Sequence, residues 1–229
     1  MFVQLSSLPA VLSQTEQAAQ SWYEQAAACP SFPFSQLDPA RTALFVVDMV
    51  GGFAREGALS SSRVGALIDP IATLAGRCES AGIPVVAFAD THTPDSLELT
   101  AYPAHCLAGT EGAAVCPEIR QASPSLLTIE KNSTNGFVEP AFSAWLEAHP
   151  ERDVYVVCGD CTDICVLQFV LTAKAWHNTR NRPLDILLPL ELIDTFDAPG
   201  HPAEPLSLFS LSLMHSAGAT LCSTVLLDP

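Results

Sequence analysis

Six short apolar runs punctuate the chain. Ala43 to Val47 and Val85 to Ala89 are rich in Val and Phe, too short for helices and too uniformly apolar for a half-exposed strand, so they read as buried parallel strands. Leu126 to Ile129, Val154 to Cys158, Ile186 to Leu188 and a run around Ala219 to Cys222 add four more. Between them the apolar residues recur at helical spacing over Leu67 to Ser80, Pro140 to Ala148, Ile164 to His177 and Leu206 to Ser216. Strand alternating with helix predicts an α/β domain, a three-layer α/β/α sandwich around a mostly parallel six-stranded sheet. Gly82 closes the first helical segment ahead of Pro84, and Asp163 stands where the third would take its N-cap.

The first forty residues break this rhythm. Leu8 to Ala28 is Gln- and Ala-rich with a helical pattern, and Cys-Pro-Ser-Phe-Pro-Phe ends it. Residues 1–40 are therefore expected to form an N-terminal helical extension packed on a single domain spanning 41–229. No repeat or low-complexity tract is present.

The polar residues at the strand ends carry the chemistry. In open parallel sheets ligands bind beyond the carboxyl ends of the strands. There the first strand runs into Asp48, the second into Asp90 and His92, the third into Glu130 and Lys131, and the fourth into Gly159-Asp-Cys-Thr-Asp-Ile-Cys165. Cys165 at the start of a helix is placed where unpaired N–H groups favour a thiolate, although a small buried hydrophobe is the ordinary fate of a free cysteine. Asp48 as proton acceptor and Lys131 as local positive charge favour the nucleophile. Asp90 and His92, two apart, share a face of an extended segment and suit one divalent ion. Glu98 and His105 complete a mixed N/O set, with Asp95 a rival, that fits Zn²⁺, Fe²⁺ or Mn²⁺; an isolated D-x-H would more simply be a hydrogen-bonded loop. The C-x-x-C of Cys158 and Cys161 has no second pair to complete a zinc site, and His149, His177, His201 and His215 read as surface or helix-end residues.

Composition narrows the partners. Of 229 residues, 48% are hydrophobic, and ten basic against twenty-five acidic side chains give a net charge of −15. That balance argues against nucleic acid and anionic membranes. No apolar stretch of about 18 residues offers a membrane span, and no secretory signal pattern opens the chain, so a cytoplasmic setting with mostly free thiols is expected. Only two lysines occur, Lys131 and Lys174, which singles out the one that closes a strand.

ALFVVDMVGGF, PVVAFADTHTPDSLELTAYPAHCLAGTEGA, IEKNSTNGF and VCGDCTDICV, in that order between about Ala43 and Cys222, resemble the isochorismatase-like cysteine hydrolases and, within them, the nicotinamidases. The resemblance implies a Rossmann-like fold, a catalytic triad of Asp48, Lys131 and Cys165, and one divalent metal, zinc foremost with iron or manganese as alternatives, on Asp90, His92, Glu98 and His105. It implies a ring pocket at Phe53 and Tyr102, with Phe137 a looser candidate. It also implies a cis peptide between Asp160 and Cys161 that aims the N–H groups of Cys161 and Cys165 at the substrate carbonyl as an oxyanion hole. Asp160 departs from the apolar or small residue commoner in the family, and a carboxylate there is expected to face away from the pocket. The expected activity is hydrolysis of nicotinamide to nicotinic acid and ammonia in NAD salvage, by a homo-oligomer. The rival readings are a related cysteine amidase acting on another small carboxamide or carbamoyl compound, and a catalytically silent binding module.

Overall fold

A computed structural model describes residues 7–227; the ends of the expected extension and domain, residues 1–6 and 228–229, lie outside the described residues. The chain runs through α1 (Leu8–Ala27), β1 (Phe32–Pro33), β2 (Thr42–Val47), α2 (Gly51–Ala54), α3 (Ser62–Gly65), α4 (Ile68–Ala81) and β3 (Val85–Asp90). It continues through α5 (Pro117–Ala122), β4 (Leu127–Lys131), α6 (Pro140–Ala148), β5 (Val154–Gly159), α7 (Leu167–Asn178), β6 (Asp185–Pro189), α8 (Ala203–Ser216), β7 (Thr220–Cys222) and β8 (Val225–Leu226). All six expected strands form and pair in parallel, in the order β4-β3-β2-β5-β6-β7. That is the doubly wound order, and its switch point falls between β2 and β5.

The period-2 alternation of each central strand divides the core. Ala43, Phe45 and Val47 face α6, α7 and α8, while Leu44 and Val46 face α4 and α5. Phe45 sits at the centre of the first layer, its ring 4.7 to 6.1 Å from those of Tyr155, Phe169, Trp145, Phe142 and Phe88. β4 is an edge strand with alternating exposure, and it runs two residues beyond the expected end, which draws Lys131 into the ladder opposite Asp90. Gly82 caps α4 in the left-handed conformation at φ 72°, as the sequence predicts. Gly159 allows β5 to close on β2: at φ 108° a Cβ there would lie 2.0 Å from Val47 O.

The nucleophile segment differs from expectation. A π-turn over Thr162–Val166 precedes α7, because Cys161 O accepts from the N–H groups of both Ile164 and Val166. Cys161, not Asp163, occupies the cap position. The short helices α2, α3 and α5 carry too few residues for a periodicity to show. The N-terminal segment is tied to the domain twice: Trp22 of α1 packs edge-on against Phe209 of α8, and β1 pairs with β8 in a two-stranded parallel sheet. Among the described residues no helix is long and apolar enough to cross a membrane, and all eight cysteines are free thiols.

Candidate active site

The strand ends on either side of the switch point converge. Asp48 follows β2 in the left-handed region at φ 52°, which an aspartate tolerates better than a branched residue. It is fully buried; its Oδ1 accepts the Asp90 N–H at 3.1 Å and its Oδ2 lies 2.9 Å from Lys131 Nζ. Lys131 Nζ also donates to Asp90 Oδ1, to Ser133 O at 2.9 Å, and stands 3.8 Å from Cys165 Sγ. One buried ammonium thus touches two carboxylates and the thiol.

Burial opposes the charge on Lys131, but Asp48, the Cys165 sulfur and Asp90 outweigh it and hold its pKa well above the ordinary lysine value. Burial pushes Asp48 up to about 6 against the pull of Lys131, with the Asp90 charge adding to the rise. Cys165 is pushed well above the ordinary thiol range, mainly by burial, with Lys131 opposing and Asp48 reinforcing. Burial thus works against the helix-start thiolate expected from the sequence, and Lys131 Nζ, 3.8 Å from the sulfur and 2.9 Å from Asp48 Oδ2, works for it.

Asp90 joins a second cluster. Its Oδ2 lies 3.0 Å from His92 Nε2 and 3.1 Å from His105 Nε2, and those two nitrogens are 3.1 Å apart. Glu98 Oε1 is 3.8 Å from His92 Nε2, and the ligand atoms of all four residues lie within 4.8 Å of one another. The outer ring nitrogens are engaged: His92 Nδ1–H donates to Asn132 Oδ1 at 3.1 Å and His105 Nδ1–H to Pro103 O at 2.7 Å. Both Nε2 lone pairs therefore point inward, as they do where a ligating histidine is oriented by a hydrogen bond from its other ring nitrogen. Two imidazoles and two carboxylates fit a borderline divalent cation. Asp95 is exposed and outside this group.

A cleft of about 480 Å³ including its open mouth lies over both clusters, lined by Phe53, Tyr102, Leu59, Val64, Ile164 and Phe196 beside Cys165, Asp90, His105 and Glu98. Phe53 and Tyr102 approach the His105 ring at 5.5 and 6.1 Å. Phe137 is not part of the cleft: it is buried in the core against Phe142, Phe169 and Trp176, because the short 3₁₀ turn at Gly136–Val138 directs it into that aromatic layer. The Asp160–Cys161 peptide is cis. Asp160 does not face away. It lines the cleft, buried, with Oδ2 accepting the Cys161 thiol at 3.4 Å, and burial together with Asp48 pushes its pKa well above the carboxylate range. His201 is not a free surface residue either, since its Nε2 bonds Asp163 Oδ2 at 2.8 Å, and His177 is a buried helix-end residue. Cys158 is a core thiol donating to Phe45 O at 3.5 Å. Phe196, Leu59, Val64 and Ile164 carry no signal in the sequence beyond being apolar and near loops.

A doubly wound α/β domain with a thiol, carboxylate and lysine in contact at its switch point defines a cysteine hydrolase. The isochorismatase domain family model matches residues 42–175. The chain belongs to the isochorismatase family. Nicotinamidase 1 of Arabidopsis thaliana is 31% identical over 195 residues, covering 76% of this chain and 79% of that protein. A nicotinamidase from Bacillus subtilis superposes with a TM-score of 0.66 at 26% identity, covering 80% of this chain and 99% of that one. N-carbamoylsarcosine amidase from Thermoplasma acidophilum superposes with a TM-score of 0.64 at 26% identity, covering 80% and 95%. The pyrazinamidase of Pyrococcus horikoshii in complex with zinc shares the fold, with a TM-score of 0.62 at 20% identity, covering 79% and 98%.

Proposed function

We propose that this protein hydrolyses nicotinamide to nicotinic acid and ammonia through a thioester on Cys165, in NAD salvage. The observation that carries the reading is Asp90: one carboxylate is shared between Lys131 of the thiol cluster and the histidine pair that can hold a metal. A group bound at the metal position and a carbonyl above Cys165 are thereby fixed relative to each other, as a ring bearing a carboxamide requires.

Asp48 takes the Cys165 proton, and the thiolate sulfur attacks the carboxamide carbon. The carbonyl electron pair moves to oxygen, where the N–H groups of Cys161 and Cys165 serve as the oxyanion hole; first-turn N–H groups lack partners within their own helix. Asp48 returns the proton to nitrogen as the C–N bond breaks, ammonia leaves and the thioester remains. Water then adds to the thioester as Asp48 takes its proton, and the acid leaves as the C–S bond breaks and Asp48 hands that proton to the Cys165 sulfur. Lys131 stays protonated throughout and balances the charge on Asp48 and sulfur. Asp90, His92, Glu98 and His105 would hold a divalent ion, zinc foremost, which when bound would supply a Lewis acid for the pyridine nitrogen. Phe53 and Tyr102 flank the ring.

Ammonia release from nicotinamide, measured beside pyrazinamide, carbamoylsarcosine and biuret, tests the substrate; a preference for either non-aromatic compound overturns it in favour of a related amidase. Cys165→Ala is expected to abolish release, and retained activity overturns the thioester. A cytoplasmic setting and a homo-oligomeric state belong to the same proposal and are checked by cell fractionation and light scattering.

A further inference from the structure

Phe196 is the one cleft aromatic whose surroundings the reaction above does not use. It arrives on the segment after β6, more than thirty residues beyond the nucleophile, and that segment is bound to the nucleophile turn at several points. Thr162 N–H donates to Asp194 O at 3.0 Å, and Thr195 Oγ1–H donates to Asp163 Oδ1 at 2.6 Å. His201 Nε2 lies 2.8 Å from Asp163 Oδ2, and its Nδ1 lies 3.0 Å from Phe196 O. The His201 imidazole stacks on the Phe196 ring with centroids 3.8 Å apart and planes 10° from parallel.

The opposite flank is held as well. Asp194 Oδ1 accepts from Arg63 Nε and Nη2 at 3.2 and 2.9 Å, and Arg63 Nη1 donates to Glu204 Oε1 at 2.8 Å. Arg63 neighbours Val64, itself a wall of the cleft. Ala198 and His201 pair as a short antiparallel bridge, and Asp197 Oδ1 accepts the Ala203 N–H at 3.0 Å. Phe196 is thus fixed through its backbone, through one ring face, and through both neighbouring helices. A half-buried aromatic that lines a cleft and is stacked on one face by a neighbouring ring is built to present its remaining surface to a ligand.

We propose that Phe196 is a specificity-determining wall that selects a flat aromatic ring above Cys165, with Asp163 and His201 as its positioning residues. Asp163 stands two residues before the nucleophile, so wall and thiol are set from the same turn. This deepens the functional reading and rests on it for the identity of the ring. Because aromatic packing of this kind is lost on truncation, Phe196→Ala is expected to raise the KM for nicotinamide about 3- to 10-fold while kcat changes little. Phe196→Leu is expected to shift it in the same direction by less.

The experiment compares wild type, Phe196→Ala, Phe196→Leu, His201→Gln and His201→Phe as metal-loaded full chains matched for circular dichroism. One arm measures KM and kcat for nicotinamide. The other measures the rate of Cys165 alkylation by 3-(bromoacetyl)pyridine relative to iodoacetamide, which carries no ring. The proposal expects the alkylation ratio to fall at least 3-fold in Phe196→Ala and His201→Gln, with His201→Phe, which keeps the stacking, closer to wild type. An unchanged ratio in Phe196→Ala and Phe196→Leu overturns it, as does a loss in His201→Gln that falls on kcat with the ratio intact. Wild type that releases no ammonia from nicotinamide overturns the functional reading instead, and the alkylation ratio still decides the wall.

Discussion

Replacing Lys131 by Met removes the buried cation while nearly conserving side-chain volume. At 2.9 Å from Asp48, and also bonded to Asp90, the ammonium holds two buried carboxylates. At an effective dielectric of about 20, one such contact is worth roughly 6 kcal/mol of Coulomb attraction, set against several kcal/mol for desolvating each ion. The net loss expected on removing one partner alone is about 3–5 kcal/mol, because the carboxylates stay behind uncompensated. In a chain of this size that lowers the melting temperature by about 10 °C. Asp48→Asn combined with Lys131→Met removes the facing charge too and is expected to recover at least half of the lost stability, with ammonia release abolished in both variants. Urea denaturation at pH 7.5 and an ammonia assay measure the two effects. A cost below about 1 kcal/mol for Lys131→Met, or a double variant no more stable than the single, would refute the idea that charge compensation at Lys131 underlies both the fold and the site.

Three further outcomes are expected. His92→Ala should abolish stoichiometric binding of a divalent ion, read by metal analysis after dialysis, and wild-type metal content in that variant would count against the ligand set. Phe45→Ala should cost about 3–5 kcal/mol in urea unfolding, since the ring is wholly buried among five others; a loss under 1 kcal/mol would mean that the layer repacks. His177 has its pKa lowered from 6.5, by burial first and then by Arg182 and Lys174 against the opposing Pro183 carbonyl, so the folded state keeps it neutral while the unfolded chain takes up the proton below about 6.5. Stability should therefore be full above that value and decline as the pH falls through it, and His177→Phe should flatten the difference in urea midpoint between pH 7.5 and 5.5; parallel pH slopes for the two proteins would contradict this.

The sheet and the reacting groups were legible for one physical reason. A parallel strand buried on both faces must be apolar along its length, so the first polar residue after Val47 or Ala89 marks the point where the chain reaches the cleft. Asp48, Asp90 and Lys131 stand at those points. The π-turn was not legible, because its geometry depends on two N–H groups sharing Cys161 O, and nothing in Thr162–Val166 distinguishes that from an ordinary first turn. Phe137 and Phe196 show the same limit from opposite sides. Each is a single aromatic in an irregular segment, where no period assigns a face; one entered the core and the other the cleft wall. Asp163 and His201, 38 residues apart, are linked only by the fold.

The site's economy lies in Asp90. Its Oδ1 faces Lys131 and its Oδ2 faces both histidines, so the same carboxylate that steadies the ammonium beside Cys165 also closes the metal group. Asp90→Asn keeps the shape but offers only one acceptor oxygen, and it must therefore fail one of its two partners. If the amide oxygen turns to Lys131, metal content falls while Cys165 keeps its reactivity toward iodoacetamide; if it turns to the histidines, metal is retained and thiol reactivity changes. Retention of both, measured on the same preparation, would show that the two clusters are independent.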